Sequence, residues 1–213
     1  SKKDIRKLHA GGTKVYSYLN IGSVENFRPY YKTYEHLAIG DYENWEEEKW
    51  VNVADKDWQE FMDTLAGKLK KKGVDGFFID NCDVYDYAHK KDIFDGLTVI
   101  LKKIRAMGKP VVVNGDIYVT AYQSRYGSAA DIMTGVNQES VWSRIDFTTK
   151  TFHTQKKTER EYFCQYLQAC KADGMDVYLL EYTTDHKLIR RIKKYCRKKK
   201  YDYYIADSLE LGI

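Results

Sequence analysis

Apolar residues in this chain fall into short runs and into longer stretches with helical spacing, and the two kinds alternate. The runs at 15–21, 50–53, 76–80, 111–114, 132–136, 177–182 and 203–206 read as strands. Trp58, Phe61, Met62, Leu65 and Leu69 recur at the helical period. So do Ile93, Phe94, Leu97, Ile100, Leu101 and Ile104, then Tyr162, Phe163, Tyr166, Leu167 and Cys170, and last Leu188, Ile192 and Tyr195. Gly73, Gly108 and Gly174 follow helical stretches, where a C-cap favours glycine. Strands alternating with helices predict a parallel sheet. A doubly wound sheet and a (β/α)8 barrel both satisfy the alternation. No G-x-G-x-x-G or P-loop pattern follows the first strand, which counts against dinucleotide binding. Polar residues end nearly every strand, and that suits a barrel mouth better than a single crevice.

One run stands apart. In KGVDGFFIDNCDVYDY, residues 72–87, Phe77, Phe78 and Ile79 lead straight into Asp80, with Asp83 and Asp86 close behind. A carboxylate at the end of a buried strand is costly unless it is paired or used. In parallel α/β proteins the carboxyl ends of strands are where active sites are built. The long stretch 22–49, rich in aromatics and acids, reads as a loop of the kind that carries function.

The 213 residues suffice for one domain with a real core, and no linker, repeat or low-complexity segment divides them. The net charge of +4 is small, and the basic clusters at 68–72 and 187–200 fall on predicted helices without an aromatic-basic recognition motif. A nucleic-acid partner is therefore not expected, and a monomer is. No apolar run is long enough to span a membrane. Cys82, Cys164, Cys170 and Cys196 contain no C-x-x-C pair, so free, mostly buried thiols are expected. The absence of G-x-S-x-G, and of a base beside Cys82, argues against a nucleophilic Ser or Cys enzyme. His9, His36, His89, His153 and His186 are scattered and form no zinc motif, and no cofactor is expected. A Mg²⁺ or Ca²⁺ ion on Asp80 and Asp83 stays open as an alternative.

Several segments in order resemble glycoside hydrolase family 114, which includes endo-α-1,4-polygalactosaminidases and related extracellular TIM-barrel proteins. KVYSYLNIGSVENFRPYY, residues 14–31, is similar to the family's second-strand block. ENWEEEKWVNVADKDWQEF, residues 43–61, is similar to its Trp-rich third block, and GVDGFFIDNCDVYDY, residues 73–87, to its Gly-Phe-Asp-Gly strand ending in Asp-x-x-Asp. GVNQES, residues 135–140, resembles the sixth strand end with its glutamate, and YDYYIADSLELG, residues 201–212, the closing strand. Asn20 stands where the family often has Ser, Ser23 where an acid is common, and Asn52 where Asp is frequent. The resemblance implies an α/β, (β/α)8 TIM-barrel-like fold with the first strand absent from this chain. It also implies an extracellular or cell-surface glycosidase acting on α-linked galactosamine polysaccharide.

Glycoside hydrolysis needs two carboxylates across the scissile bond. The resemblance assigns these to Asp80, as nucleophile, and Glu139, as acid/base. Asp83, Asn114, Asp116, Glu25, Glu181, Tyr182 and Asp207 are expected to bind substrate from other strand ends. Tyr18 and Asn20 share one face of their strand by alternation and are expected to point inward with them. Trp142 is expected to stack on a sugar ring, with packing beneath its own loop as the alternative. Arg28 is expected to pair with a cleft acid. The gathered acids would favour a cationic polymer such as partly deacetylated galactosamine. A non-catalytic carbohydrate-binding barrel, or an inactive relative, is the competing reading.

Overall fold

Two units divide the chain, Ser1–Thr134 and Gly135–Ile213, in a computed structural model that describes residues 1–43 and 45–209. Asn44, within the 43–61 segment, and residues 210–212 of the closing segment lie outside the described residues.

The first unit runs α1 (Lys2–Ala10), β1 (Tyr16–Asn20), β2 (Ser23–Glu25), α2 (Tyr31–Tyr34), a 3-10 turn (Glu35–Leu37), β3 (Ala38–Asp41), β4 (Glu48–Val51), α3 (Lys56–Lys72), β5 (Gly76–Asp80), α4 (Val84–Tyr87), α5 (Lys91–Arg105), β6 (Val111–Asn114) and α6 (Ile117–Tyr126). Strands β1, β5 and β6 are parallel, with Tyr18 beside Phe78, Asn20 beside Asp80, and Phe78 beside Val112. Parallel neighbours in register point to the same face. Leu19, Ile79 and Val113 therefore share the opposite face, and all three are buried.

The amphipathic pattern of α3 and α5 is realised as expected. Trp58, Met62 and Ala66 are buried on α3, and seven residues from Ile93 to Ile104 on α5. Each large side chain so buried contributes about 1.5–3 kcal/mol. The Asp55 side chain caps α3 by accepting from Asp57 and Trp58 N–H groups, and Gly73, at φ 102°, ends it. The Trp58 indole donates to the Ile21 carbonyl at 2.8 Å, which ties α3 to the end of β1.

Two expectations fail here. The run at 50–53 is not a strand of the parallel sheet: Trp50 and Val51 belong to β4, the middle strand of a small antiparallel sheet ordered β2-β4-β3. The stretch 22–49 is accordingly not irregular. Its sheet escapes a pattern search because β2 has only three residues, all buried, and shows no alternation.

The second unit runs β7 (Gly135–Glu139), β8 (Ser143–Asp146), β9 (Thr151–Thr154), α7 (Lys157–Ala172), β10 (Asp176–Tyr182), α8 (His186–Lys199) and β11 (Asp202–Ala206). Strand β10 pairs in parallel with β7 and β11. Helix α7 buries Tyr166, Leu167 and Cys170, and α8 buries Leu188, Ile192 and Cys196. Strand β7 begins three residues later than the apolar run at 132–136 suggests. Ile132 and Met133 are fully buried, but their N–H groups both turn back to the Ala129 carbonyl. The antiparallel hairpin β8–β9 is unannounced by the sequence.

Candidate active site

At the end of β5, three donors hold the Asp80 carboxylate. Tyr18 donates its hydroxyl to Oδ2 at 2.9 Å. Asn114 Nδ2 donates to Oδ1 at 3.1 Å and the Asn81 N–H to the same oxygen at 3.0 Å. Tyr18 comes from β1, Asn114 from the end of β6, and both lie on the Asp80 face by register. Tyr18 is exposed as a whole, but desolvation around the phenol, and then the Asp80 charge, push it well above its usual range, so it stays a donor.

Beside this lies a lattice of polar groups. Asn81 takes a left-handed φ of 63°, a conformation asparagine tolerates better than most residues. Its Nδ2 donates to Ser23 Oγ at 2.9 Å and to Glu48 Oε2 at 3.1 Å. Ser23 Oγ donates to the same Glu48 oxygen, and Asn20 Nδ2 reaches both Ser23 Oγ and Glu48. Burial raises Glu48 above the usual carboxylate range, opposed by the Ser23 hydroxyl and reinforced by the charges of Glu25 and Asp80. Glu25 is itself buried and bidentate with Arg28, whose Nη2 lies 3.0 Å from Oε1. Tyr42 stacks on Trp50 at 4.0 Å, Trp50 on Tyr87 at 5.7 Å, and Tyr42 donates to Asn81 Oδ1. No side chain fits at Gly22, where a Cβ would lie 1.7 Å from the Asn81 carbonyl oxygen.

In the second unit, Glu139 ends β7 and accepts the Tyr182 hydroxyl on Oε2 at 2.9 Å. Glu139 pairs in register with Leu180, so Leu180 and Tyr182 face with it and Glu181 faces away. Glu181 is fully buried. It accepts the Trp142 N–H on both oxygens, at 2.9 and 3.1 Å, and the Ser143 N–H and Oγ on Oε2, at 2.8 and 2.7 Å. Burial pushes it up to about 7 against those hydrogen bonds.

The sequence profile of Glycoside-hydrolase family GH114 matches residues 1–209. The chain belongs to this family. It is thus a glycoside hydrolase by membership, and no curated protein sequence matches it. Among solved structures, it is similar to the glycoside hydrolase domain of PelA from Pseudomonas aeruginosa, with a TM-score of 0.82 and 17% identity over 100% of this chain and 86% of that one. It is similar to Aspergillus fumigatus Ega3, solved in complex with galactosamine, with a TM-score of 0.75 and 18% identity over 97% of this chain and 79% of that one. Thermus thermophilus α-galactosidase TtGalA follows at 0.60 and 8%, covering 100% of this chain and 47% of that one. The fold is α/β and TIM-barrel-like.

For this GH114 chain, the structure brings Tyr18, Asn114 and Asp80 together, and Tyr182 with Glu139. Others differ from expectation. Asn20 and Glu25, read as substrate-binding, are 3% exposed and engaged by Ser23, Glu48 and Arg28. Glu181, read likewise, has no solvent-facing surface and is spent on the turn before β8. Trp142, expected to stack on a sugar, is half-buried and its ring is packed by side chains of its own unit. The Arg160 and Arg191 guanidinium groups lie 5.1 and 5.4 Å from its ring centroid, and the Tyr195 ring 5.2 Å away. Asp83 precedes α4 without capping it, and its carboxylate lies against Gly115. Asp116 precedes α6 and is 9% exposed. Asp207 is exposed at a surface cavity of about 490 Å³ shared with Thr183, His186 and Tyr204. Cys82 is buried, and burial raises its thiol well above the usual range, which unsuits it as a nucleophile. Among the described residues, no three His, Cys, Asp or Glu side chains gather as a metal site. Glu48 and Asn81 were missed, and Ser23 was marked only as a departure from the family pattern. A glutamate ending the run Glu46-Glu47-Glu48 reads as a solvated charge until β4 turns it inward.

Proposed function

We propose that the chain hydrolyses an α-linked galactosamine-containing polysaccharide with retention of anomeric configuration, using Asp80 as nucleophile and Glu139 as acid/base. The observation that carries this reading is the Asp80 carboxylate at the end of β5, fixed on both oxygens by Tyr18, Asn114 and the Asn81 N–H in a chain of family GH114. A nucleophile must meet the anomeric carbon in one orientation, and three donors from three places hold it so.

In the first step an Asp80 oxygen attacks the anomeric carbon while the protonated Glu139 gives its proton to the leaving glycosidic oxygen. A glycosyl ester to Asp80 forms and the leaving chain departs as an alcohol. In the second step Glu139, now a carboxylate, takes a proton from water. The resulting nucleophile cleaves the ester and regenerates both groups. The Tyr182 hydroxyl on Glu139 Oε2 orients that carboxyl through both steps.

The substrate class draws support from the galactosamine complex of Ega3 and from the acids Glu25, Glu48 and Asp80, whose charges act on Tyr18 together. Such a polymer is met at the cell surface or outside it, and the enzyme is placed there on this reading. The test is release of new reducing ends from an α-1,4-linked galactosamine polymer, with the product anomer read by NMR before mutarotation. Asp80→Asn and Glu139→Gln should each abolish release while the protein stays folded. Full activity in either variant overturns the assignment. Binding of the polymer without any cleavage by wild type would instead make this a carbohydrate-binding relative.

A further inference from the structure

We propose that Glu181 is a positioning residue for Glu139, acting through Ser143 and Tyr182. This rests on the reading of Glu139 as acid/base. The two neighbours Glu181 and Tyr182 point to opposite faces of β10, so no direct contact with the reacting atoms is available to Glu181. Its connection runs through the turn between β7 and β8.

The linkage runs through hydrogen bonds to the Tyr182 backbone and then along the Tyr182 side chain. Ser143 Oγ donates to Glu181 Oε2 at 2.7 Å. A hydroxyl has one proton, so that donation fixes its rotor and presents its lone pairs elsewhere. The Tyr182 N–H uses one of them, at 2.9 Å. The Tyr182 hydroxyl then donates to Glu139 Oε2 at 2.9 Å. Meanwhile the Trp142 and Ser143 N–H groups are held on the Glu181 carboxylate.

Three successive residues of β10 thus grip what surrounds Glu139. The Leu180 carbonyl accepts the N–H of Ser140, the residue after Glu139, at 2.9 Å. Glu181 holds the far end of the same turn, and Tyr182 holds the carboxyl. Ser140 has a left-handed φ of 56°, so the chain reverses sharply between the two anchors. A buried carboxylate is expensive to keep, and an apolar residue at 181 would sit at no such cost beside Cys196 of α8. What the carboxylate supplies instead is a set of acceptors for a turn whose N–H groups have no strand partner.

The experiment is a double-mutant cycle on the α-1,4-linked galactosamine polymer. Ser143→Ala cuts the link while leaving the Glu181 carboxylate on backbone N–H groups. Tyr182→Phe removes the hydroxyl on Glu139, and Glu181→Gln is the isosteric second variant should Ser143→Ala fail to fold. Each single substitution is expected to lower kcat about tenfold or more with KM within twofold. The double variant is expected to lose no more than the worse single, because both act through one contact. Multiplicative losses, a rise in KM at unchanged kcat, or wild-type kcat in Ser143→Ala would overturn the proposal. Glu139→Gln, run alongside, separates the two readings. Activity in that variant would unseat Glu139 itself, whereas an inactive Glu139→Gln with an additive cycle would unseat only Glu181.

Discussion

Tyr18 donates its hydroxyl to Asp80 at 2.9 Å from the adjacent strand, two residues before Asn20, the register partner of Asp80. The phenol is held protonated by desolvation and by the charge it faces. It therefore aligns the carboxylate without competing for a proton. Tyr18→Phe should leave the fold intact and lower kcat roughly 10–100-fold, the worth of one hydrogen bond to a charged group. Steady-state kinetics with a melting curve on the same sample checks this, and unchanged kcat would show that Tyr18 does not align Asp80.

Asn81 combines a backbone requirement with a side-chain one, and two substitutions separate them. Asn81→Gly keeps the left-handed φ at no strain but loses the bonds to Ser23 and Glu48. Asn81→Ala loses the same bonds and adds strain of about 1 kcal/mol. Urea denaturation should rank wild type above Gly and Gly above Ala. A reversed order of the two variants would mean the φ is not maintained.

Glu181 makes stability depend on pH in a definite direction. Its folded value of about 7 lies above the ordinary 4.5, so the folded state binds the proton more tightly. The stability this contributes is fully present below about pH 4.5 and is lost as pH rises through about 7. The loss is up to about 3 kcal/mol across that window. Denaturation at several pH values, for wild type and for Glu181→Gln, isolates the effect. The variant should gain on wild type between about pH 5 and 8, and a constant difference between them would contradict the burial effect.

Trp142→Ala should act on stability and not on substrate. Its ring lies beside Arg160, Arg191 and Tyr195, and removing it opens a gap between α7 and α8 worth about 2 kcal/mol or more. The melting temperature should fall while KM for the polymer stays within twofold. A tenfold rise in KM at unchanged stability would restore the sugar-stacking role.

Ionic strength offers a test of the charge on the substrate. Attraction between a polyamine chain and the acids near Asp80 weakens as salt shortens the Debye length from about 10 Å at 0.1 M to about 3 Å at 1 M. KM for the deacetylated polymer should rise over that range, and KM for an N-acetylated one should not.

Asp80 was legible in the sequence because a charge ending the run Gly-Phe-Phe-Ile has few ordinary explanations. The helices were legible because α3 and α5 bury one continuous face each. Glu48 was not, since three successive glutamates look alike until β4 decides which one turns inward. The pair Glu181 and Tyr182 shows a subtler limit. Alternation says that they face opposite ways, but only the register of β10 on β7 says which one shares a face with Glu139. The run 132–136 misled because hydrophobicity reports burial, and Ile132 and Met133 are buried in a turn.

Glu48 closes the small sheet against the ends of β1 and β5 through Ser23, Asn20 and Asn81. The excursion through residues 26–47 thus leaves and returns at anchored points, with the Asn26 N–H on the Glu47 carbonyl at its neck. Within that excursion Arg28 on Glu25 and Tyr42 on Asn81 and Trp50 tie back to the site, so only its exposed positions can change without disturbing Asp80. A chimaera exchanging those exposed positions, and keeping Arg28, Tyr42 and β3, is the natural way to move specificity while keeping the chemistry in place.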